Sequence, residues 1–410
     1  LASRDRDSAR GDVRRRQVFY IPGYDPMLPR RYRELYRSEG RRQAEISGYK
    51  LGLGALSGRQ NYAWHVDAVI DGVRVETDFE FLAWSDLVRD SMERSIIGTF
   101  AQLARVVWIY VSSGALRRLA GMRKGPVIAA LYPIFMLLAQ LVVALAAGTL
   151  VWWAVGLFLP QWVGALTGLA TLSGVMILFR RLDNRLFAYY LMHDYAFTAL
   201  GRGQYPDELE QRIALFVTRL RAALQSDVDE VLLVGHSSGA HIGVSVLADL
   251  LRAGDLASAR PKLGFLTLGH VIPMVAFLPR AHRLRRDLHD LSRSDLLTWV
   301  DITAPGDGCT FALVDPVSVC GAAPAQGQRW PLVISAAFSQ TLAPETWQRL
   351  KWRFFRVHFQ YLCAFERPRD HDYFRITAGP LSLARRFKGR KPSPSCLRGA
   401  RVSYRDPFQG

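Results

Sequence analysis

Val231-Leu232-Leu233-Val234-Gly235-His236-Ser237-Ser238-Gly239 is the stretch that decides the fold. Four β-favouring aliphatics lead into G-x-S-x-G, and Ala240-His241-Ile242-Gly243-Val244-Ser245-Val246-Leu247 continues with helical character. Strand, sharp turn and helix form the context in which a serine is held in a strained backbone with its hydroxyl presented outward. Asp229-Glu230 marks the strand's start, and Ala240, Gly243 and Ala248 leave small faces for close helix–sheet packing. Three fixed positions in five residues make a weak pattern, so the flanks carry the argument. They make Ser237 a candidate nucleophile and the Ser238 N–H a candidate oxyanion donor. His236, at the variable position, is given no proton transfer, and His241 is expected to pack.

Working outward, Glu230–Gly235 is the nucleophile strand and Ala240–Arg252 its helix. Pro206–Gln225 reads as an amphipathic helix opened by Asp207-Glu208. Lys262–Leu268, Leu296–Ile302 and Leu332–Ala336 read as further buried strands. Upstream, Gln17–Ile21 is a short buried strand ending at Pro22-Gly23-Tyr24-Asp25-Pro26. Gly48–Leu56 and Tyr62–Val75 alternate in a β manner, with Asp71-Gly72 as a hairpin turn between Val66–Ile70 and Val73–Phe79.

The second strong signal is apolar. Between Lys124 and Arg180 lie 55 consecutive residues without Asp, Glu, Lys, Arg or His. One membrane-spanning helix needs about 20 apolar residues, so the block fits two spans, near Val127–Val151 and Val163–Phe179. Gly156, Pro160 and Gln161 lie in the turn, with Trp152, Trp153 and Trp162 at the level of an aromatic belt. Arg117, Arg118, Arg123 and Lys124 flank the entry, and Arg180, Arg181 and Arg185 the exit. Positive charge at both outer ends predicts that both face the cytoplasm. Ser95–Leu116 is mostly apolar at helical spacing and is expected at the membrane interface. Arg181–Met192 is expected as a juxtamembrane helix.

The net charge of +17 lacks any recognisable nucleic-acid module. The basic residues cluster at the two ends and beside the apolar block, which suits an anionic membrane surface better. Four widely spaced cysteines without C-x-x-C predict reduced thiols and neither a metal site nor a disulfide framework. The opening residues are polar and arginine-rich, unlike a signal peptide. The expected organisation is a solvated basic arm over 1–16, a β-rich first part of the main domain over 17–94, and an interfacial helix with the membrane hairpin over 95–186. The main domain follows over 187–384. The basic tail over 385–410 has eight Lys/Arg against one Asp and is expected to be poorly ordered.

In the α/β-hydrolase arrangement the chain order is nucleophile, acid, histidine. Asp307, in the turn Thr303-Ala304-Pro305-Gly306-Asp307-Gly308, follows a strand end and is the preferred acid. Asp301 lies within that strand, and Asp315 comes later. Of nine histidines only His358 and His371 lie beyond a plausible acid loop. His358, with apolar neighbours, is preferred as the base. His371, between Asp370 and Asp372, is expected to be solvated and biased toward the charged form, and stays as the alternative base. The second oxyanion N–H is assigned to Tyr24, where Gly23 lets the backbone turn.

On Tyr20–Pro26, Gly235–Gly239, the Trp299–Asp307 strand and turn and the His358 segment, the chain resembles the α/β-hydrolase superfamily, specifically membrane-embedded bacterial lipase- or esterase-like serine hydrolases. The resemblance covers residues 17–25 and 190–375 and departs from the pattern in the long insertion that carries the hairpin. It implies an α/β fold with a mostly parallel sheet flanked by helices. It also implies a Ser-His-Asp esterase without metal or cofactor, acting on an ester or lipid substrate. With the hairpin, it implies an integral protein of the bacterial inner membrane whose catalytic domain is cytoplasmic and whose partner is the lipid bilayer. The rival expectation is a non-catalytic membrane protein that keeps this fold for binding or scaffolding.

Overall fold

A computed structural model describes residues 12–55 and 62–402. Its centre is one eight-stranded sheet: β1 (Arg15–Ile21), β2 (Lys50–Ala55), β3 (Ala63–Ile70), β4 (Val73–Phe81), β5 (Glu230–His236), β6 (Lys262–Leu268), β7 (Thr298–Thr303) and β8 (Leu332–Ser335). The strand order is β2-β3-β4-β1-β5-β6-β7-β8. β3 alone runs against its neighbours, and all pairings from β4 through β8 are parallel. The fold is therefore mixed α/β.

A parallel sheet covered on both faces demands strands that are apolar throughout, not alternating. β5 meets this: every residue of Glu230–His236 is buried. Val231 and Leu233 enter the core on one face, while Leu232 and Val234 enter the core on the other. Helices Asp207–Leu224, Gly239–Arg252 and His282–Arg293 cover the first face. The second is closed by helix Pro29–Ser47, through Tyr32 and Tyr36, and by C-terminal segments including Phe365 and Phe374. The connection that leaves β1 runs to one side, to β2 at the sheet edge, from which β3 and β4 return to β1, and the connection that leaves β5 runs to the other side, toward β8, so the winding switches between β1 and β5. Such a reversal leaves a crevice at the carboxyl ends of the strands.

The ends of the chain differ from expectation. Arg16 is buried in β1, donating to Glu230 at 2.6 Å and to the carbonyls of Gly379 and Leu381. Arg14–Arg16 thus belong to the folded body rather than to a solvated arm. Likewise 385–402 is docked, with Leu397 bridged to Val314, Arg390 on Asp370 and Val402 buried. The rest of the arm and of the tail, 1–11 and 403–410, lies outside the described residues.

Two helices, Lys124–Gly156 and Gln161–Arg181, are long and apolar enough to cross a membrane. They pack on each other where Gly148 meets Gly168: a Cβ built on Gly168 would lie 2.6 Å from the Gly148 carbonyl oxygen. At 1.5 Å per residue the first helix is about 50 Å long and the second about 30 Å. The excess at the start of the first helix rests on the protein. Pro126, Pro133 and Leu137 are buried there, and Val127, Ala130 and Ile134 pack against the core. Helix Ile96–Ser112 is two-faced: Leu103, Val106 and Tyr110 are buried while Ile97 and Trp108 are exposed. The juxtamembrane segment breaks at Phe187, which has φ 55°, into a short turn of helix Asp183–Leu186 and the helix Ala188–Ala199.

Candidate active site

The crevice at the carboxyl ends of β1, β5 and β7 gathers most of the residues singled out from the sequence. Ser237 follows β5 directly and has φ 56°, a left-handed backbone that a non-glycine residue adopts only under constraint. Its N–H donates to Leu268 O at 2.9 Å, tying the turn to the end of β6. Gly239 lets the turn close: a Cβ there would sit 2.2 Å from Ile21 O. The loop after β1 runs beside the serine, since a Cβ on Gly23 would lie 2.8 Å from Ser237 Cβ and 3.3 Å from its Oγ. Trp84 Nε1 holds this loop by donating to Pro22 O at 3.0 Å. Among the described residues, the N–H groups of Tyr24 and Ser238 donate to no other group of the protein.

Asp307 and His358 meet although 51 positions separate them. His358 Nδ1 lies 2.8 Å from Asp307 Oδ2, with both side chains buried. Asp307 Oδ1 accepts the Cys309 N–H at 2.9 Å, so the carboxylate has partners on both oxygens. Because an ionised carboxylate only accepts, the bond assigns the proton to Nδ1 of His358 and leaves Nε2 free as an acceptor. Ser237 Oγ makes no hydrogen bond to His358 among the described residues; in ligand-free sites such contacts are often long.

The other candidates have different partners. Asp301 accepts the Thr267 hydroxyl at 2.6 Å within the core, and Asp315 caps the turn of helix Pro316–Val319 through the Val317 and Ser318 N–H groups. His371 is not solvated. It is 1% exposed, its Nε2 donates to Tyr361 O at 2.8 Å, and burial pushes its pKa down to about 4. The flanking carboxylates do not charge it because they are engaged elsewhere: Asp370 pairs with Arg390, and Asp372 caps the following helix at Arg375 N–H. His241 packs, with Nδ1 2.8 Å from the Tyr205 hydroxyl.

Two residues of the site were not singled out for it. His236 Nε2 donates to His358 O at 3.0 Å, and their rings lie 4.8 Å apart. Burial, then the neighbouring His358, pushes the His236 pKa down to about 3, so it stays a neutral strut that holds the His358 backbone. Asp194 lies on the helix Ala188–Ala199, which caps the crevice. Tyr190 of that helix donates to Tyr24 O, and Phe187 and Tyr190 pack on Phe355. Burial pushes the Asp194 carboxyl up to about 7, opposed by the nearby His358. In sequence, Asp194 is only an acid inside an aromatic helix, and nothing local marks it.

Asp307, Cys309 and His358 bring three potential metal-ligand atoms within 4.8 Å of one another. Asp307 and His358 are engaged with each other, and burial raises the Cys309 thiol well above its ordinary range, which keeps it protonated. The set therefore suits an acid–base pair better than a metal. Two clefts in the molecule lie elsewhere, one lined by Tyr20, Tyr32 and Tyr36, the other along β2 and β3. The chemistry argues for the crevice at Ser237, where the strained serine borders Gly23 and follows His236, whose ring holds the backbone of the Asp307-paired His358.

The chain matches no protein-family model, no curated protein and no solved structure.

Proposed function

We propose that the chain is a membrane-anchored serine hydrolase of α/β-hydrolase type that cleaves an ester. The observation that carries this reading is the convergence of Ser237, at φ 56°, with the Asp307–His358 hydrogen bond at one end of the sheet. Ser237 Oγ attacks the ester carbonyl carbon while His358 Nε2 takes its proton. The resulting oxyanion is held by the N–H groups of Ser238 and Tyr24. His358 then passes the proton to the departing alkoxide, which leaves as an alcohol, and Ser237 is acylated. A water deprotonated by His358 cleaves the acyl-enzyme and releases the acid. Asp307 keeps Nδ1 protonated and the ring oriented throughout.

The two apolar helices serve as the anchor, with both ends cytoplasmic and the Pro160 turn on the far side. Gly125, at the start of the first helix, touches the acid loop: its Cβ position is 3.1 Å from Gly308 Cα. Arg123 donates to Ala312 O at 2.7 Å just beyond. The anchor and the catalytic acid therefore share a boundary, which supports chemistry at the membrane surface on a lipid-derived ester. A fluorophosphonate probe on the full chain tests the reading, with labelling expected in the wild type and none in Ser237→Ala. The missing Ser237–His358 hydrogen bond favours the second reading, a binding or scaffolding protein. An unlabelled wild type would establish that alternative.

A further inference from the structure

We propose that Asp194 is a specificity-determining residue of the Ser237 site, a carboxyl that faces the bound ester and selects uncharged, hydroxyl-bearing esters over anionic ones. This rests on the hydrolase reading above and adds the substrate class.

Helix periodicity fixes where Asp194 faces. Positions 190, 194 and 197 lie on one side of the helix Ala188–Ala199. Tyr190 and Phe197 both pack on Tyr24 in tilted contacts, with ring centroids 6.0 and 5.8 Å away. Asp194, set between them, is turned toward the same loop, the one whose Gly23 borders Ser237. The opposite face, with Met192, His193 and Ala196, is buried in the protein. Asp194 stays partly accessible, and among the described residues its carboxyl has neither hydrogen bond nor ion pair. An unpaired carboxyl in an aromatic crevice is what a ligand's hydroxyl or amine would satisfy, and what a second negative charge would not.

The titratable groups facing Asp194 are His358 and Cys309 from the base and acid loops, Tyr24 from the loop after β1, Tyr110 from helix Ile96–Ser112, and Tyr190 and Tyr195 from its own helix. Among the described residues, the other helices packed on it, Ser85–Met92, Lys124–Gly156 and Asp183–Leu186, add no group found to act on it. Burial pushes the tyrosines and the cysteine upward, so they stay neutral through pH 9, and no arginine or lysine neutralises the carboxyl. Asp194 titrates at about 7. Below that pH it donates a hydrogen bond; above it, it carries a charge that repels anions. The site thus opposes the sign of the surface, whose net charge of +17 attracts anionic lipid.

The test uses the full-length protein in neutral detergent with two aryl esters of equal length, one ending in a hydroxyl and one in a carboxylate. kcat/KM is measured for both from pH 5.5 to 9. Any change at the acylating groups that both esters share affects them alike and cancels in their ratio. The neutral-over-anionic preference should rise roughly tenfold through pH 7. The ratio should be flat with pH in Asp194→Asn and Asp194→Ser, and pH-dependent again in Asp194→Glu. A flat ratio in the wild type, or an unchanged one in Asp194→Asn, overturns the inference alone. A role exerted only through His358 would slow both esters equally and also overturns it. If the wild type turns over neither ester, the hydrolase reading falls and this inference with it.

Discussion

The Ser237 crevice and the apolar hairpin are built on opposite terms. In the crevice the backbone carries the specification: a serine at φ 56°, a glycine whose Cβ would strike Ile21 O, and a histidine, His358, pinned by Asp307 on one side and His236 on the other. Each contact joins residues distant in sequence, and little can shift without another group losing its partner. In the hairpin the side chains carry it. Phe135, Val142, Leu150, Trp153 and Leu169 are exposed on helices long and apolar enough to cross a membrane, and in the proposed anchor a surrounding apolar phase stabilises them. One region should fail sharply under single substitutions and the other gradually.

The largest effects should come from the acylating machinery. Ser237→Ala should abolish probe labelling and ester turnover with an unchanged melting temperature, because the side chain that is lost makes no structural hydrogen bond. His358→Ala should lower kcat by roughly six orders of magnitude, leaving only the residual catalysis supplied by the oxyanion site and binding. His371→Asn, at a histidine that only holds Tyr361 O, should cost less than tenfold in kcat and show instead as lost stability. If His371→Asn silences turnover and His358→Ala does not, the assignment of the base is wrong.

Next comes the turn itself. Gly239→Ala puts a methyl group 2.2 Å from Ile21 O, so β1 or the elbow helix must move. The expected loss is about 1–3 kcal/mol of stability, with activity falling further because Ser237 and Gly23 separate. A melting temperature and turnover both equal to wild type would show that this crevice is looser than its contacts imply.

The strand, turn and helix at Ser237, the two apolar helices and the loop that carries Asp307 were legible because each signal is local: an aliphatic run before a glycine turn, an uncharged block, a loop after a strand. What escaped depends on distant chain. His371 was expected in water because its neighbours in sequence are aspartates, yet Arg390 and the cap at Arg375 take both carboxylates and leave the ring dry. Asp194 and His236 acquire meaning only beside His358, more than 100 positions away. Helix Pro29–Ser47 has so polar a face that Tyr32 and Tyr36 alone betray its buried side. The first apolar helix runs past its expected limits, from Lys124 to Gly156, and its first turns rest on the protein core.

A smaller and broader effect should appear in acid. Burial lowers the pKa of His236 and His241 to about 3 and of His270 and His371 to about 4. Between those values and about 6.5 the unfolded chain binds protons that the native state refuses, so stability falls as pH drops through that window. Each such histidine contributes a slope approaching 1.4 kcal/mol per pH unit. Chemical denaturation between pH 7.5 and 5 should show a falling midpoint, shallower in His371→Asn; a midpoint independent of pH would mean these rings are wet.

The smallest effect on chemistry should come from the hairpin, and it tests the contrast most directly. Gly168→Val inserts side-chain volume where Gly148 and Gly168 bring the two helices together, so the helices must part. The expected cost is about 1–3 kcal/mol, read as easier separation of the helices in an engineered-cysteine cross-linking assay. Labelling of Ser237 should stay within twofold, because the substitution lies far along the helices from Gly125, where the first of them touches the acid loop at Gly308. Gly125→Val is the counterpart. It presses on Gly308, one residue from Asp307, and should slow labelling at least tenfold while leaving the cross-links unchanged. If Gly168→Val slows labelling as much as Gly125→Val does, the two regions are one mechanical unit, with strain in the apolar hairpin carried along Lys124–Gly156 to the Asp307 loop.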